Sequence, residues 1–464
     1  MDCSSSSCCA LPQVQHSPEE EEVSCAELSP TASKLLGISI TWFLSDFDAI
    51  VRKAFPDAPD QKSFWDLKPL TNADGSHGIT GFGYDLICPR DGKKHCSVVD
   101  AVFRVGHSRK ATMFLSWVWG YMFKDVKSAL SEWSLKNPGE HFLWWCYYCN
   151  NQFRMDNKQV SASELVETFG DQLRKVGCML MLMDDAQLPR YATRLWCLFE
   201  VFVAERDNIP LQACISESGR EALIKLVKDG GTHLFAGGLQ IDSASATASM
   251  HDDEIHIKRL ISETSSFVAV DNKVKDAMSL CHRSFFIEAV QALSHDTSVV
   301  KLMLARFNLG DAEACAIAEV LKMNRTIKKV ALGNNAIGCH GRGAPPVVAG
   351  GSNKIGDEGT RALAEALKVN NNISVLVLAG NLVTDDGACA LAEALKHNRS
   401  ISTLQLQNNK IGDVGACALA EAASVHKLGM SLVGNPIGPR GASALAEVKS
   451  QRGPECTGNL DICW

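Results

Sequence analysis

One carboxylate stands out in the sequence because almost nothing around it is polar. Glu200 is the only charged residue in the stretch WCLFEVFVA, which runs from Trp196 to Ala204. An ionised carboxylate that leaves water without a compensating partner costs several kcal/mol. Three interpretations are open: Glu200 pairs with Arg190 or Arg194 or lies at a helix edge, it performs catalysis in a cleft, or it belongs to a docking surface.

The elements around Glu200 determine which of these sites can exist. Short apolar runs alternate with helical patterns between residues 111 and 216. This alternation is typical of a parallel sheet with helices on both faces, and ligands of such sheets bind beyond the carboxyl ends of the strands. The sequence predicts strands at 113–119, 141–148, 178–183 and 209–216, and helices at 125–135, 161–176 and 193–206.

Two motifs in this region resemble the TIR domain of innate-immune and self-defence proteins, in its plant and protist forms. The segment FLSWVWG at 114–120 is similar to the family's Phe-Leu-Ser start. The resemblance implies a TIR-like, flavodoxin-like parallel sheet over residues 111–216 and self-association through this domain. The residues that fit the plant pattern of Tyr-Ala followed by Trp-Cys-Leu-x-Glu are Tyr191, Ala192, Trp196, Cys197, Leu198 and Glu200.

The resemblance also implies an enzymatic alternative, in which Glu200 helps to cleave NAD between ribose and nicotinamide. Nicotinamide departs neutral from a cationic nitrogen, so one carboxylate is enough to stabilise the oxocarbenium-like ribose. NAD would be a substrate, and no resident cofactor is predicted. Plant TIR domains often carry an Arg where this chain has Val118, so a cation that would meet a phosphate is missing. The residues expected to line the NAD site are Ser116, Trp196, Asn150, Asn151 and Gln152.

The C-terminal third of the chain is an internal repeat. The pattern L-x-L-x-x-N-x-[IVL] recurs five times with small variations, and Asn353, Asn381 and Asn409 are 28 residues apart. Each copy is followed by an Ala/Leu-rich helical stretch. The pattern resembles the leucine-rich repeats of the ribonuclease-inhibitor type. It predicts a short α/β solenoid over residues 296–452, with strands on the concave side and helices on the convex side.

One spacing in the repeat is irregular. Asn335 and Asn353 are only 18 residues apart, and the Gly/Pro-rich segment 339–352 lies between them. That segment is therefore expected to bulge from the solenoid as a loop.

The concave strands of this solenoid would present every second side chain to a protein partner. This surface is weakly charged, which suits a protein better than a polyanion. Alternatively, the short arc covers the neighbouring domain. The repeat type also resembles GTPase-activating proteins of nuclear transport, but this chain ends in GPECTGNLDICW and not in their acidic tail. The expected partner-binding residues are Met303, Ala331, Val375, Val377, Thr403, Gln405 and Gln407.

Composition restricts the class of partner and the compartment. The net charge is −7, and residues 1–30 contribute six acids with no Lys or Arg, so the rest is nearly neutral. This argues against nucleic acid as a partner. The apolar stretch at 111–123 is too short to span a membrane. The 18 cysteines are scattered, and no hydrophobic N-terminal segment precedes them, which predicts reduced thiols in the cytoplasm.

The remaining segments are assigned by composition. A disordered acidic, Ser/Cys-rich tail is expected at 1–32, with palmitoylation of Cys3, Cys8 or Cys9 as an alternative role. An ordered lead-in of unassigned fold occupies 33–110, and a helical bridge occupies 217–295. The C-terminal tail covers 453–464.

A CxxC motif at Cys146 and Cys149 raises the question of a metal. The zinc set would be completed by Cys88, His95 and Cys96. Residues three apart on a strand point to opposite faces, so on the strand predicted at 141–148 these thiols would not share a metal, and no metal site is predicted. The chain also has no P-loop motif.

These features together predict an intracellular signalling or protein-interaction protein. A TIR-like domain would be joined to a leucine-rich-repeat arc. The first alternative is an NAD glycohydrolase that acts through Glu200, and a GTPase-activating type of regulator is the second.

Overall fold

The computed structural model describes residues 28–72, 74–156, 161–186, 189–230, 240–305, 307–333, 353–425, 428–451 and 462–463. Several predicted features lie outside these residues. They are Cys3, Cys8 and Cys9 with most of the N-terminal tail, Asn335 with the loop at 339–352, and most of the C-terminal tail at 453–464.

The first sheet contains the parallel strands predicted for the middle of the chain. Its order is β2-β1-β4-β3-β5-β6; β4, β3, β5 and β6 run parallel, and β1 lies antiparallel to β4. The chain moves from β3 to one side and then crosses to β5 on the other, so a switch point lies between β3 and β5. The strands are β1 (Leu36–Ser39), β2 (Ser108–Lys110), β3 (Met113–Ser116), β4 (Phe142–Trp144), β5 (Met179–Met183) and β6 (Leu211–Ile215).

Helices flank this sheet and continue into the bridge. Helix α8 begins at the capping box predicted for Ser161 and Glu164, whose side chains bond each other's backbone N–H groups. Within the described residues the helices are α1 (Pro30–Lys34), α2 (Ile40–Trp42), α3 (Asp48–Ala54), α4 (Val98–Ala101), α5 (Phe123–Lys136), α6 (Cys146–Cys149), α7 (Gln152–Asp156), α8 (Ala162–Val176), α9 (Leu195–Arg206), α10 (Glu217–Asp229), α11 (His251–Thr264) and α12 (Phe267–Gln291).

Helix α9, which carries Glu200, is buried on all sides. Every residue from Cys197 to Ala204 is buried, and the helix packs against α8, α11 and α12. A helix that is apolar all round belongs in a core, which explains why this stretch shows no amphipathic pattern.

The lead-in segment shares the first sheet with the residues that follow it. Ile38 of β1 pairs with Leu143 of β4, and β2 pairs with β1 on the outer side. Phe43 lies 5.0 Å from Trp145 between ring centroids, so aromatic packing joins the segment to the core. Residues 33–110 and 111–216 therefore form one sheet across the boundary predicted between them.

The strand predicted at 141–148 was wrong beyond its first part. Strand β4 ends at Trp144, and Cys146–Cys149 is a short helix instead. The Cys149 thiol accepts a hydrogen bond from the Trp145 N–H at 3.2 Å and fixes this turn. A continuous apolar run has no period that separates a buried strand from a buried helical turn, which is the physical reason for the error.

The second sheet belongs to the repeats and is parallel in sequential order from β7 to β12. In the described residues a convex helix follows each strand from β7 to β11, as the repeat pattern predicted. The strands are β7 (Lys301–Met303), β8 (Lys329–Ala331), β9 (Val375–Val377), β10 (Thr403–Gln405), β11 (Gly429–Ser431) and β12 (Ile462–Cys463). The helices are α13 (Asp311–Met323), α14 (Asp357–Val369), α15 (Asp385–His397), α16 (Asp413–Ser424) and α17 (Pro439–Gln451).

The repeated asparagines bond the backbone of neighbouring repeats. The Asn381 amide donates to the carbonyls of Leu332 (3.1 Å) and Leu378 (3.0 Å), and its oxygen accepts from the Ile355 N–H (3.1 Å). These bonds satisfy backbone groups that would otherwise be buried unpaired. Asn353, Asn409 and Asn435 make the equivalent contacts.

A second set of side chains links the convex helices and was missed in the sequence. Asp385, the first residue of α15, accepts from the N–H groups of Gly412 (2.7 Å) and Gly415 (2.9 Å) at the start of α16. A carboxylate there caps the next helix and favours its positive end. A Cβ on Gly415 would lie 2.8 Å from the Asp385 carboxylate, so this approach requires glycine. The equivalent acids are Asp311, Asp357 and Asp413.

Helix α12 joins the two sheets into one molecule. It packs against α9 and α10 on one side and α13 on the other. Phe307 occupies the Asn slot of the first repeat, and its ring lies 5.9 Å from that of Phe286 on α12. An aromatic residue replaces the asparagine there because this repeat has a domain, and not another repeat, beside it.

The capping contacts between repeats predict a stability difference between two adjacent acids. Asp385→Ala should destabilise the solenoid by about 1–3 kcal/mol, because two partly buried N–H groups lose their acceptor. Asp386→Ala is the matched control, since Asp386 is exposed in the same helical turn and should change stability by less than about 0.5 kcal/mol. Urea denaturation of the full chain measures both, and equal effects would contradict the capping role.

Candidate functional site

The structure places Glu200 in the interior, at the carboxyl end of the central strand. Its side chain is 6% exposed, and its Oε2 accepts a short hydrogen bond from the hydroxyl of Ser116, the last residue of β3. The Ser116 hydroxyl also contacts the Tyr191 hydroxyl. Ser116, Tyr191 and Glu200, here called the acid triad, thus bring together the end of β3, the segment before α9 and α9 itself.

Burial keeps the acid of this triad neutral at physiological pH. Desolvation raises the pKa of Glu200 from 4.5 to about 8, and the Ser116 hydrogen bond, which favours ionisation, offsets only part of this rise. In the unfolded chain the carboxyl ionises above pH 4.5, whereas in the folded chain it keeps its proton up to about pH 8. The contribution of protonated Glu200 to the free energy of unfolding is therefore fully present below pH 4.5 and is lost as the pH rises through 8.

The two arginines proposed as partners of Glu200 are occupied elsewhere. Arg190 pairs with Asp184 at 2.6 Å and donates to the Gly120 carbonyl at 2.7 Å. Arg194 donates to the Ser249 hydroxyl at 2.5 Å. The expectation of an ion pair with Arg190 or Arg194 was wrong, because both guanidiniums point toward the loops while the carboxyl points at β3.

Two buried thiols and an indole surround the triad. The Cys197 thiol donates to the Trp117 carbonyl, and the Trp117 indole donates to the Cys146 sulfur, both at 3.3 Å. Burial, followed by the nearby Glu200 charge, raises the pKa of Cys146 to about 12. Burial likewise raises the pKa of Cys197 far above its ordinary range, so both cysteines stay protonated.

The other residues predicted for the NAD site are more dispersed. Trp196 is half-buried and donates from its indole to Asp253 of α11 at 3.1 Å, with its ring 4.8 Å from Phe169. Asn151 donates to the His95 carbonyl at 2.7 Å. Of the set, Ser116 alone touches Glu200 through a hydrogen bond within the described residues.

Asn150 and Gln152 lie at the end of α6. The Gln152 amide donates to the carbonyls of Cys146 (3.2 Å) and Tyr147 (3.0 Å), so it caps that helix. Asn150 is the residue that follows the helix, and its backbone N–H also bonds the Cys146 carbonyl at 3.1 Å. A role of these two residues in ligand binding stays a prediction.

Tyr121 at the switch point was not foreseen from the sequence, and Arg190, expected beside Glu200, contacts it instead. The Tyr121 hydroxyl donates to the Leu182 carbonyl of β5 at 3.2 Å, and Arg190 lies over the Tyr121 ring, 5.0 Å from its centroid. Together with the Arg190–Asp184 pair, they join the loop after β3 to the loop after β5. The only sequence signal of Tyr121 was its position shortly after the strand predicted at 113–119.

Three of the five residues considered as a zinc set, Cys146, Cys149 and His95, have separate hydrogen-bond partners. The Cys149 thiol bonds the Leu36 carbonyl at 3.3 Å, and Cys146 accepts from Trp117. His95 contacts the Tyr84 carbonyl. In the part of the chain that the structure describes, no group of three or more potential ligands is arranged for a metal ion.

The predicted partner-binding face of the repeats is only partly open. Ala331 and Val377 are buried, at 2% and 6% exposure. Met303 lies against the end of α10, where a Cβ on Gly230 would be 2.9 Å from the Met303 Cβ. The first repeat is therefore partly covered by the neighbouring domain. The face is half-buried at Val375, Thr403, Gln405 and Gln407.

Comparisons with known proteins bear on the repeats. A family model described as a leucine-rich repeat matches residues 397–420. No curated protein matches the chain. Among solved structures, leiomodin-1 actin-binding site 2 is similar at 19% identity and a TM-score of 0.28, over 36% of this chain and 86% of that one.

The matched repeat favours a role in protein interaction. Leucine-rich repeats build extended concave surfaces, and those surfaces are used for binding. Among the described helices, none has the length and apolar character required to cross a membrane.

Proposed function

We propose that this protein is an intracellular signalling or scaffold protein in which a TIR-like domain is joined to a leucine-rich-repeat arc that binds a protein partner. The observation that carries the proposal is the continuous parallel sheet of the repeats, in which the half-buried Thr403 lies in register with Val375 and the half-buried Gln405 with Ser431. Such a sheet offers a rigid surface at little entropic cost to binding.

The chemistry of this sheet favours a polar protein segment. Thr403 and Gln405 supply hydroxyl and amide groups, and Gln407 has a buried side-chain oxygen without a hydrogen-bond partner in the described residues. Lys301 on β7 and Lys329 on β8 lie next to each other in the register of the parallel sheet. A partner segment with acidic residues would complement that end of the sheet.

The cytoplasmic, TIR-like part of the proposal rests on the first sheet and on the cysteines. The parallel strands have the second-first-third-fourth order of doubly wound, flavodoxin-like sheets. The motif from Tyr191 to Glu200 lies at the carboxyl edge of that sheet, where the resemblance implies a site. The eleven cysteines that the structure describes from Cys88 to Cys417 are free, which is consistent with a reducing compartment. Self-association through this domain is part of the same proposal.

Site-specific photocrosslinking tests the interaction role. A photoreactive residue at Gln405, on the concave sheet, should capture a discrete protein partner in cells. The same residue at Glu393, exposed on convex helix α15, should not. Identical adducts from both positions, or adducts from Glu393 alone, would contradict binding through the concave face.

A second candidate function is NAD glycohydrolysis through Glu200. The observation that favours it is an acid that has no ion-pair partner among the described residues and is held by Ser116 at the carboxyl end of β3, beside the switch point. A purely structural buried carboxyl would normally be paired, and strongly shifted acids are concentrated at functional sites. Stabilisation of a cationic ribose needs the ionised form, which the raised pKa of Glu200 restricts to alkaline conditions.

NAD consumption by the purified full chain tests this candidate. The parent protein at high concentration should consume NAD at a rate that increases between pH 7 and pH 9, as Glu200 ionises. Glu200→Gln keeps the shape and should lose about 100-fold or more of the activity. Far-UV circular dichroism controls for folding. Background turnover by both proteins at every pH would exclude the enzymatic function and leave the interaction role.

A further inference from the structure

Three tryptophans form a stack that leads from the surface of the first domain into its core. Trp65 and Trp119 have ring centroids 4.8 Å apart, and Trp117 and Trp119 are stacked at 5.8 Å. Trp65 is 47% exposed, Trp119 is half-buried and Trp117 is 6% exposed. We call these three residues the indole ladder. Trp65, the outermost residue of the ladder, exposes far more apolar surface than a tryptophan in a core would.

The indole ladder is held rigidly at both ends. The Phe64 ring meets Trp117 edge-on at 4.7 Å, and the Trp117 indole donates to Cys146. The Tyr147 hydroxyl donates to the Leu67 carbonyl at 2.7 Å and fixes the segment that carries Trp65. A surface aromatic residue that is already immobile loses little entropy when a second ring stacks on it.

The position and charge of the ladder indicate the kind of ligand. Trp117 and Trp119 belong to the loop after β3, at the carboxyl edge of the sheet where doubly wound folds bind ligands. The Lys68 ammonium lies 5.6 Å from the centroid of the Trp119 ring. A planar ring surface with a cation beside it matches a ligand that combines an aromatic ring with an anionic group.

The inner end of the ladder reaches the acid triad. Trp117 directly follows Ser116, and it bonds both Cys146 and Cys197, the two thiols that flank Glu200. The loop that follows Ser116 therefore contacts Trp65 through Trp119 and the thiols beside Glu200 through Trp117.

We propose that the indole ladder is a docking platform for a purine nucleotide. The base stacks on the exposed ring of Trp65, and the phosphate meets the Lys68 ammonium. The inference rests on the second proposed function, because it assigns the platform to the adenine half of NAD. It adds Trp65 and Lys68, from the lead-in segment, as residues that select the substrate.

Calorimetric titration of the full chain with AMP tests the platform without any cleavage reaction. The parent protein should bind AMP saturably, and Trp65→Ala should weaken that binding about tenfold, as expected for the loss of one base–aromatic stack. Trp65→Phe retains a ring and should lose less. Leu135→Ala, at an 81% exposed position on α5, is the matched control and should leave the affinity unchanged.

The phosphate contact is tested separately with Lys68→Gln. This variant should weaken AMP binding several-fold while adenosine binding stays the same. Absence of saturable AMP binding by the parent protein, or equal AMP affinity of Trp65→Ala and Leu135→Ala, would overturn the proposal. If AMP and NAD both bind through Trp65 but NAD is not cleaved, the glycohydrolase function is refuted. The docking platform would still stand in that case.

Discussion

The hydrogen bond between Ser116 and Glu200 joins two buried elements of the first domain, β3 and α9. Ser116 ends the central strand, and Glu200 lies midway along a helix that is apolar on all sides. Because a hydroxyl and not a cation satisfies the carboxyl, burial decides its protonation state and keeps it neutral. The loop after β3, the segment containing Tyr191 and the packing of α9 all converge on this contact.

The buried polar side chains of the repeats differ from the acid triad, because their hydrogen bonds go to the backbone. The repeated Asn side chains donate to and accept from backbone groups, and the repeated Asp side chains accept from backbone N–H groups of the adjacent repeat, so little of their hydrogen-bonding capacity is left for a ligand. Their function is to hold the curvature of the arc, while the outward-facing side chains of the sheet remain for a partner. The acid triad has no equivalent in the repeats. Functional sites are expected at positions that break the pattern followed by the rest of a structure.

The sequence predicted those features whose periodicity reflects burial. The 28-residue repeat, the parallel strands and the capping box at Ser161 were visible because side-chain spacing specifies them. The burial of Glu200 could be predicted from its apolar neighbours, but its partner could not, since Ser116 is 84 residues away and Arg194 was closer along the chain. Strands β1 and β2 were missed because they are short and pair antiparallel at an edge. The turn at Cys146 was hidden within a uniform apolar run.

The most direct measurement of the central interaction is a titration of Glu200 itself. The protein would be prepared with glutamate labelled with ¹³C at the side-chain carboxyl, and the Glu200 signal would be assigned as the one lost in Glu200→Gln. The account predicts that this signal titrates near pH 8, well above the exposed glutamates, because the carboxyl is buried against Ser116 without a cation. A transition completed below pH 5 would mean that the acid is ionised at neutral pH, through solvent or a cationic partner, and would contradict the account.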